Sequence, residues 1–328
     1  MRNISKYRFS SIFDLSNRIS NDEIHAQLKN YGYLLVKDKR IDWKANEEYF
    51  DLMEEYFQKR AMQLEQTGKV DDCFPQYKYQ IGMGYENIGK PNYDKESLKS
   101  MIDQPILIDR DPKWKYFWPY RYDGQYNPPQ WVPKDFPNFE RIMNLWQIQL
   151  LRTTESVLEI LSLAFKEEKD FFYNNMNKAT HLLSPIGCDL QKHSINTRFS
   201  GYHYDLNFIT VHTKSRFPGL FVWLPNGKRV ELRIPEQTVL LQPGKLFELM
   251  TGGVYKAGYH EAFLTEEAKR ESIKLNKRWR VTSTLFSMLN DDTILQPLEY
   301  FKEFSNSKQV PISVRDQFQK ELNKLSYV

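Results

Sequence analysis

The sequence predicts an α+β protein with a mainly β core: an antiparallel sandwich or barrel in the C-terminal half, a helical N-terminal region packed against it, and a C-terminal helix. Three observations carry this. Apolar residues recur at helical spacing in two long stretches before residue 165. After residue 178, short β-rich runs alternate with turns. No long helix separates those runs, which argues against a parallel Rossmann-type sheet. The chain divides into a helical region with aromatic-rich loops (1–177), a β core (178–290) and a helical tail (291–328), read together as one structural unit.

Ser20 followed by Glu23 in "SNDE" is a capping box that opens a helix running to about residue 30. "YGYLLVKD" then reads as a strand. A second helix fits 44–65, where Tyr49, Phe50, Met53, Tyr56 and Phe57 share a face. The Pro-rich stretch 105–137 shows no periodicity and reads as loop. A long helix follows from 138 to 165, with Phe139, Ile142, Leu145, Trp146, Leu150, Val157, Leu158, Leu161 and Phe165 as its apolar stripe. The β runs come next: "HLLSPIG", "DLNFITVH", "GLFVWL", "KRVELRI", "TVLLQPG", "GYHEAF" and "WRVTSTLF". Asn226-Gly227 supplies a turn between two of them, both residues tolerating positive φ. The charged run "TEEAKRESIKLNKR" reads as a solvated helix or loop, and a final helix fits 313–325.

The 328 residues are 41% hydrophobic and 27% charged, which excludes a disordered chain. A net charge of +4 suits an anionic small molecule and falls far short of a nucleic-acid footprint. Cys73 and Cys188 form no CxxC pair or disulfide framework, as expected in a reducing compartment. No run approaches the ~20 apolar residues of a membrane span, and the first residues lack an apolar targeting core. A soluble cytoplasmic protein is expected. Aromatic residues crowd 74–131, where they pack an irregular region and offer candidate pocket walls.

Within "SGYHYDLNFITVH", His203 and Asp205 stand two apart, so on a strand they project from one face. Among six histidines an HxD arises too easily by chance to decide anything alone. A third donor is needed. His212, seven residues on, points to the opposite face of a regular strand and reads as a polar residue at the strand end. His25 and His193 read as solvent-facing, while His181, opening "HLLSP", remains a candidate. His260 in "KAGYHEAF" sits on a separate strand-like run that a barrel brings beside the first. Two imidazoles and one carboxylate with open positions form the facial triad of non-haem Fe(II) oxygenases, unlike a closed four-ligand zinc site. Twenty residues further, Arg280 and Thr282 in "RWRVTSTLF" share a strand face and suit a carboxylate: a guanidinium fork beside a hydroxyl donor. Arg278 reads as an ordinary salt-bridge residue.

These residues resemble the Fe(II)- and 2-oxoglutarate-dependent dioxygenases of the isopenicillin N synthase-like family. There, HxD, a distal His and an RxS pair occur in this order on a double-stranded β-helix, or jelly roll. The matching positions are His203, Asp205, His260, Arg280 and Thr282. "DEIHAQLKNYGYLLVKD", "FPGLFVW" and "LLQPGKLFELMTGG" also resemble family segments, and the likeness spans about residues 20–290. Three departures stand out. Threonine replaces the RxS serine, Glu261 follows the distal His where Arg is common, and Leu183 stands for a co-substrate-binding Tyr.

The resemblance implies Fe(II) on His203, Asp205 and His260, with 2-oxoglutarate chelated at its keto-acid end and held at the far carboxylate by Arg280 and Thr282. Dioxygen then drives oxidative decarboxylation to succinate and CO2, coupled to oxidation of an unactivated C–H bond of a small molecule. The motifs do not choose between hydroxylation, desaturation and ring closure of the kainoid-synthase kind. Two rivals stand beside this reading. One is a same-fold Fe(II) oxidase without 2-oxoglutarate, in which Arg280 and Thr282 hold the substrate's own carboxylate. The other is a non-catalytic binding protein on this fold. Candidate substrate contacts are Tyr79, Tyr85, Trp118, Arg121 and Asn207.

Overall fold

A computed structural model describes residues 10–67, 112–120, 132–305 and 309–324. The first helix, α1 (Asn21–Tyr31), begins at the expected box. The Ser20 hydroxyl accepts the Glu23 N–H, the Glu23 carboxylate reaches back to the Ser20 N–H, and Gly32 closes the helix at φ 71°. Strand β2 (Leu34–Lys37) follows. Helices α2 (Trp43–Thr67) and α3 (Phe139–Ala164) pack on each other, with the predicted stripes turned inward except at Leu145, which is exposed, and Ile142, which is half-buried. Tyr49, Phe57, Phe139, Trp146 and Leu158 are fully buried. Each such side chain contributes ~1.5–3 kcal/mol by leaving water, which is why the stripe rather than helix propensity fixes these two helices.

The β core is two facing sheets with a third at one end. The major sheet runs β1-β2-β11-β8-β14-β5-β4, the minor sheet β10-β9-β12-β7, and a three-stranded sheet β13-β6-β3. Their ranges are β1 Ile12–Asp14, β3 Trp114–Lys115, β4 Trp118–Pro119, β5 Leu182–Leu183, β6 Ile186–Asp189, β7 Arg198–His203, β8 Ile209–Thr213, β9 Leu220–Trp223, β10 Arg229–Glu231, β11 Val239–Pro243, β12 His260–Phe263, β13 Trp279–Thr282 and β14 Thr284–Ser287. Except for the parallel β1–β2 pair, all pairings are antiparallel. This is the double-stranded β-helix, with the N-terminal helices against its outer face. Gly187 on β6 allows that contact, because a Cβ there would lie 2.4 Å from the Phe57 ring. Among the described residues no helix is long and apolar enough to cross a membrane.

Several local readings change. "HLLSPIG" and "WRVTSTLF" are each two strands in different sheets, because the chain turns a corner at Ser184–Pro185 and at Ser283. The second corner is pinned by the Trp146 indole N–H donating to Ser283 Oγ at 2.7 Å. Two short strands, β3 and β4, lie within the stretch read as loop. Asn226-Gly227 does join β9 to β10, but only Gly227 takes positive φ (80°) and the Asn226 side chain instead accepts the Lys228 N–H. The charged run is a helix, Glu266–Leu275, and the last helix is Val314–Lys324. Short helices at Phe171–Asn174, Lys245–Met250 and Glu299–Lys302 carried no periodicity long enough to announce them.

Candidate active site

The minor sheet pairs β12 with β7 so that His260 stands directly opposite His203. β7 ends at His203, and Asp205 lies just past it, where the chain leaves for the major sheet. The side chains of His203, Asp205 and His260 converge: one donor atom from each lies within 4.8 Å of the other two. His203 Nε2 is 3.6 Å from Asp205 Oδ1, and His260 Nε2 is 3.8 Å from Oδ2.

The remaining atoms of the three residues are already engaged. His203 Nδ1 lies 2.6 Å from the Gly201 carbonyl and His260 Nδ1 lies 3.1 Å from the Gly258 carbonyl. A carbonyl only accepts, so each Nδ1 carries the proton and each Nε2 turns a lone pair inward. Thr210 donates its hydroxyl to Asp205 Oδ2 at 2.6 Å. Burial pushes the Asp205 carboxyl up, but the two imidazoles and Thr210 outweigh it and hold the group below its usual range. Burial and the neighbouring His260 lower the His203 pKa and keep that ring neutral. Two imidazoles, oriented by backbone carbonyls, and a carboxylate suit a divalent ion that keeps open positions. His203 is the exposed member, with 40% of its side chain accessible against 11% for Asp205, so access to the site is from its side.

Arg280 and Thr282 share a face of β13, and both line the same cavity of about 300 Å³ as the three donors. Arg280 is 4% exposed, and burial lowers its pKa. Its Nε–H is shared between the Phe217 and Pro218 carbonyls, both at 3.2 Å. Among the described residues no carboxylate forms a salt bridge with it and its terminal nitrogens make no hydrogen bond. Arg278, just before β13, pairs with Asp189 at 2.6 Å, the ordinary salt bridge expected of it.

Other expectations fare differently. His212 does not point away from the triad. The chain crosses from minor to major sheet between β7 and β8, so strand parity is not carried across. His212 lines the cavity, 5.9 Å ring to ring from His260. His25 is not solvent-facing; its ring is wedged between helices, bonded to Tyr255 Oη at 2.5 Å and the Ala164 carbonyl at 3.0 Å. His181 is buried away from the cavity wall and accepts the Met288 N–H. Trp118 is a core residue, packed on Phe139 with its indole on Asn144. Asn207 supports the turn beside the triad, its side chain 3.0 Å from Thr210 Oγ1, and does not line the cavity. Leu183 belongs to the main core opposite Leu285. Tyr79, Tyr85 and Arg121 lie outside the described residues. Lys113 escaped the sequence reading, since a lone Lys in an aromatic stretch carries no signal. It is buried in the cavity wall with Nζ 3.1 Å from Ser200 Oγ.

Residues 180–310, the segment that contributes every one of these donors except Lys113, match the model of the 2OG-Fe(II) oxygenase superfamily. That segment is a 2OG-Fe(II) oxygenase domain. Its fold is shared with solved structures of low sequence identity. A 2OG-Fe(II) oxygenase family protein from Caulobacter crescentus superposes with a TM-score of 0.73 at 17% identity, over 93% of this chain and 94% of that one. A full-length thymine hydroxylase from Neurospora crassa, solved in complex with α-ketoglutarate, gives 0.69 at 17%, over 95% of each chain. The dioxygenase for auxin oxidation 1 from Arabidopsis thaliana, bound to 2-oxoglutarate, gives 0.61 at 13%, over 91% of this chain and all of that one. No curated protein matches the oxygenase in sequence. The cofactors of the oxygenase are Fe(II), 2-oxoglutarate and dioxygen, and the donor set described above fits the metal.

Proposed function

We propose that this oxygenase oxidises a C–H bond of a small, anionic molecule, with His203, Asp205 and His260 holding iron and Arg280 and Thr282 holding the far carboxylate of 2-oxoglutarate. The observation that carries the reading is Arg280. A buried guanidinium with uncommitted terminal nitrogens, sharing a cavity with three converged metal donors, is costly unless a carboxylate arrives. The bound iron supplies dioxygen activation coupled to oxidative decarboxylation of the keto acid.

The chain's own residues do the rest. The Gly201 and Gly258 carbonyls fix the orientation of both imidazoles. Thr210 keeps the Asp205 carboxylate ionised and aimed. Arg280 and Thr282 fix the co-substrate's distance from the triad, and the apolar walls Phe217, Leu220, Leu232 and Phe286 exclude water. Lys113, near His203 on the exposed side of the triad, supports an acidic group on the substrate. The ordered motifs from HxD to RxT support the isopenicillin N synthase-like branch.

The test is anaerobic titration of the Fe(II) protein with 2-oxoglutarate. The expected result is the visible charge-transfer band of a chelated keto acid, then slow succinate release in air. Arg280→Leu should retain Fe(II) and weaken 2-oxoglutarate by ~3–5 kcal/mol, the cost of stranding one member of a buried charge pair. Normal 2-oxoglutarate affinity in that variant would remove Arg280 from the role.

A further inference from the structure

His212 is a half-buried imidazole that no role described above accounts for. It stands on β8, whose alternation puts it on the same face as Thr210, the residue that bonds Asp205. That face looks across the cavity at the minor sheet. Its antiparallel partner on β14 is Thr284, whose Oγ1 lies 3.2 Å from His212 Nδ1 and 3.2 Å from Thr282 Oγ1. The other ring nitrogen, Nε2, is shielded from solvent and meets no hydrogen-bond partner among the described residues. The ring lies 5.9 Å from that of His260 and lines the cavity that also holds Arg280. A buried polar nitrogen without a partner costs stability, and a valine or leucine would fill this position on a strand without that cost.

We infer that His212 is a third contact for 2-oxoglutarate, donating its Nε2–H to an oxygen of the dicarboxylate as it lies between the triad and Arg280. The proton count permits this in one arrangement. The Thr282 hydroxyl has a single proton, and the proposed co-substrate role directs it at the far carboxylate. Thr284 then donates to His212 Nδ1, leaving the ring's proton on Nε2, where the ligand needs a donor. Without ligand, Thr284 is free to donate to Thr282 instead and accept from Nδ1–H. Binding therefore selects one imidazole tautomer through two hydroxyls, and the chain supplies three side-chain donors to the acid where sequence reading identified two.

The inference rests on the 2-oxoglutarate reading above, and the test separates the two. Asparagine places its amide near the Nδ1 position and keeps the Thr284 bond; glutamine extends to the Nε2 position. Calorimetric titration of the Mn(II)-substituted full chain with 2-oxoglutarate should show His212→Asn weakened on the order of 10- to 100-fold, the span of one hydrogen bond to a charged group. His212→Gln should recover most of that loss, and both variants should bind Mn(II) like wild type. Wild-type 2-oxoglutarate affinity in His212→Asn would overturn the assignment, as would a parallel fall in Mn(II) affinity, or an equal loss in both variants. Absence of 2-oxoglutarate binding by the wild-type Mn(II) protein would instead bring down the co-substrate reading, and this inference with it.

Discussion

The two ends of the cavity are prepared in opposite ways. At the triad, the polar atoms not aimed inward already have partners: both Nδ1 nitrogens are on backbone carbonyls, and Asp205 Oδ2 is on Thr210. At the other end, among the described residues, Arg280 offers terminal nitrogens with no hydrogen bond and His212 an Nε2 with no partner. Under the proposed function, the difference follows from what each end must receive. A metal ion binds through lone pairs whose direction must be fixed beforehand, so the surrounding partners are in place. A dicarboxylate brings its own acceptors, so the donors meant for it stay uncommitted until it arrives. Polar groups that are satisfied mark orientation; polar groups that are not mark a ligand.

The largest test of that contrast removes the triad itself. Adding Fe(II) without oxygen should raise the unfolding temperature of wild type by mass action. His203→Ala and His260→Ala should abolish this, whereas His212→Ala should leave it intact; loss in all three would dissolve the distinction between the ends. A control outside the cavity comes next. His181 is buried with its pKa lowered to about 4, chiefly by desolvation, below the 6.5 of an unfolded histidine. Its stability contribution is therefore fully present above pH 6.5 and lost as pH falls towards 4, ~3 kcal/mol in all. His181→Asn, which can still accept the Met288 N–H, should flatten urea-unfolding stability over that pH range while leaving iron affinity unchanged.

Two smaller changes probe one end each. Thr210→Val removes the hydroxyl behind Asp205 and should lower metal affinity ~10- to 100-fold, with 2-oxoglutarate affinity measured at saturating Mn(II) nearly unmoved. Thr282→Val should do the reverse. It should cost 2-oxoglutarate about 1.5–3 kcal/mol, the range for a hydrogen bond to a charged group, and metal nothing. If both substitutions lowered both affinities alike, the ends would not be independent.

Local signals in the chain were enough for the helices and for most strands. The Ser20–Glu23 box, the stripe from Phe139 to Phe165 and the alternation in "TVLLQPG" each bury one face, and burial of a face is a property of residues close in sequence. The same locality brought out the close pairs His203 with Asp205 and Arg280 with Thr282, and the β-like run "KAGYHEAF" offered His260. What the sequence could not decide is where the chain changes sheets. His212 was set on the wrong face because pleat parity holds only along one strand, and between His203 and Ile209 the chain leaves one sheet for the other. Trp118 and Lys113 come from the same aromatic stretch, and only packing sends one into the core and the other to the cavity wall. Residue type and short spacing determine which chemistry is available; the long-range pairing of His260 with His203 and of Thr284 with His212 determines which groups face one another, since that depends on strand order, which no local period encodes.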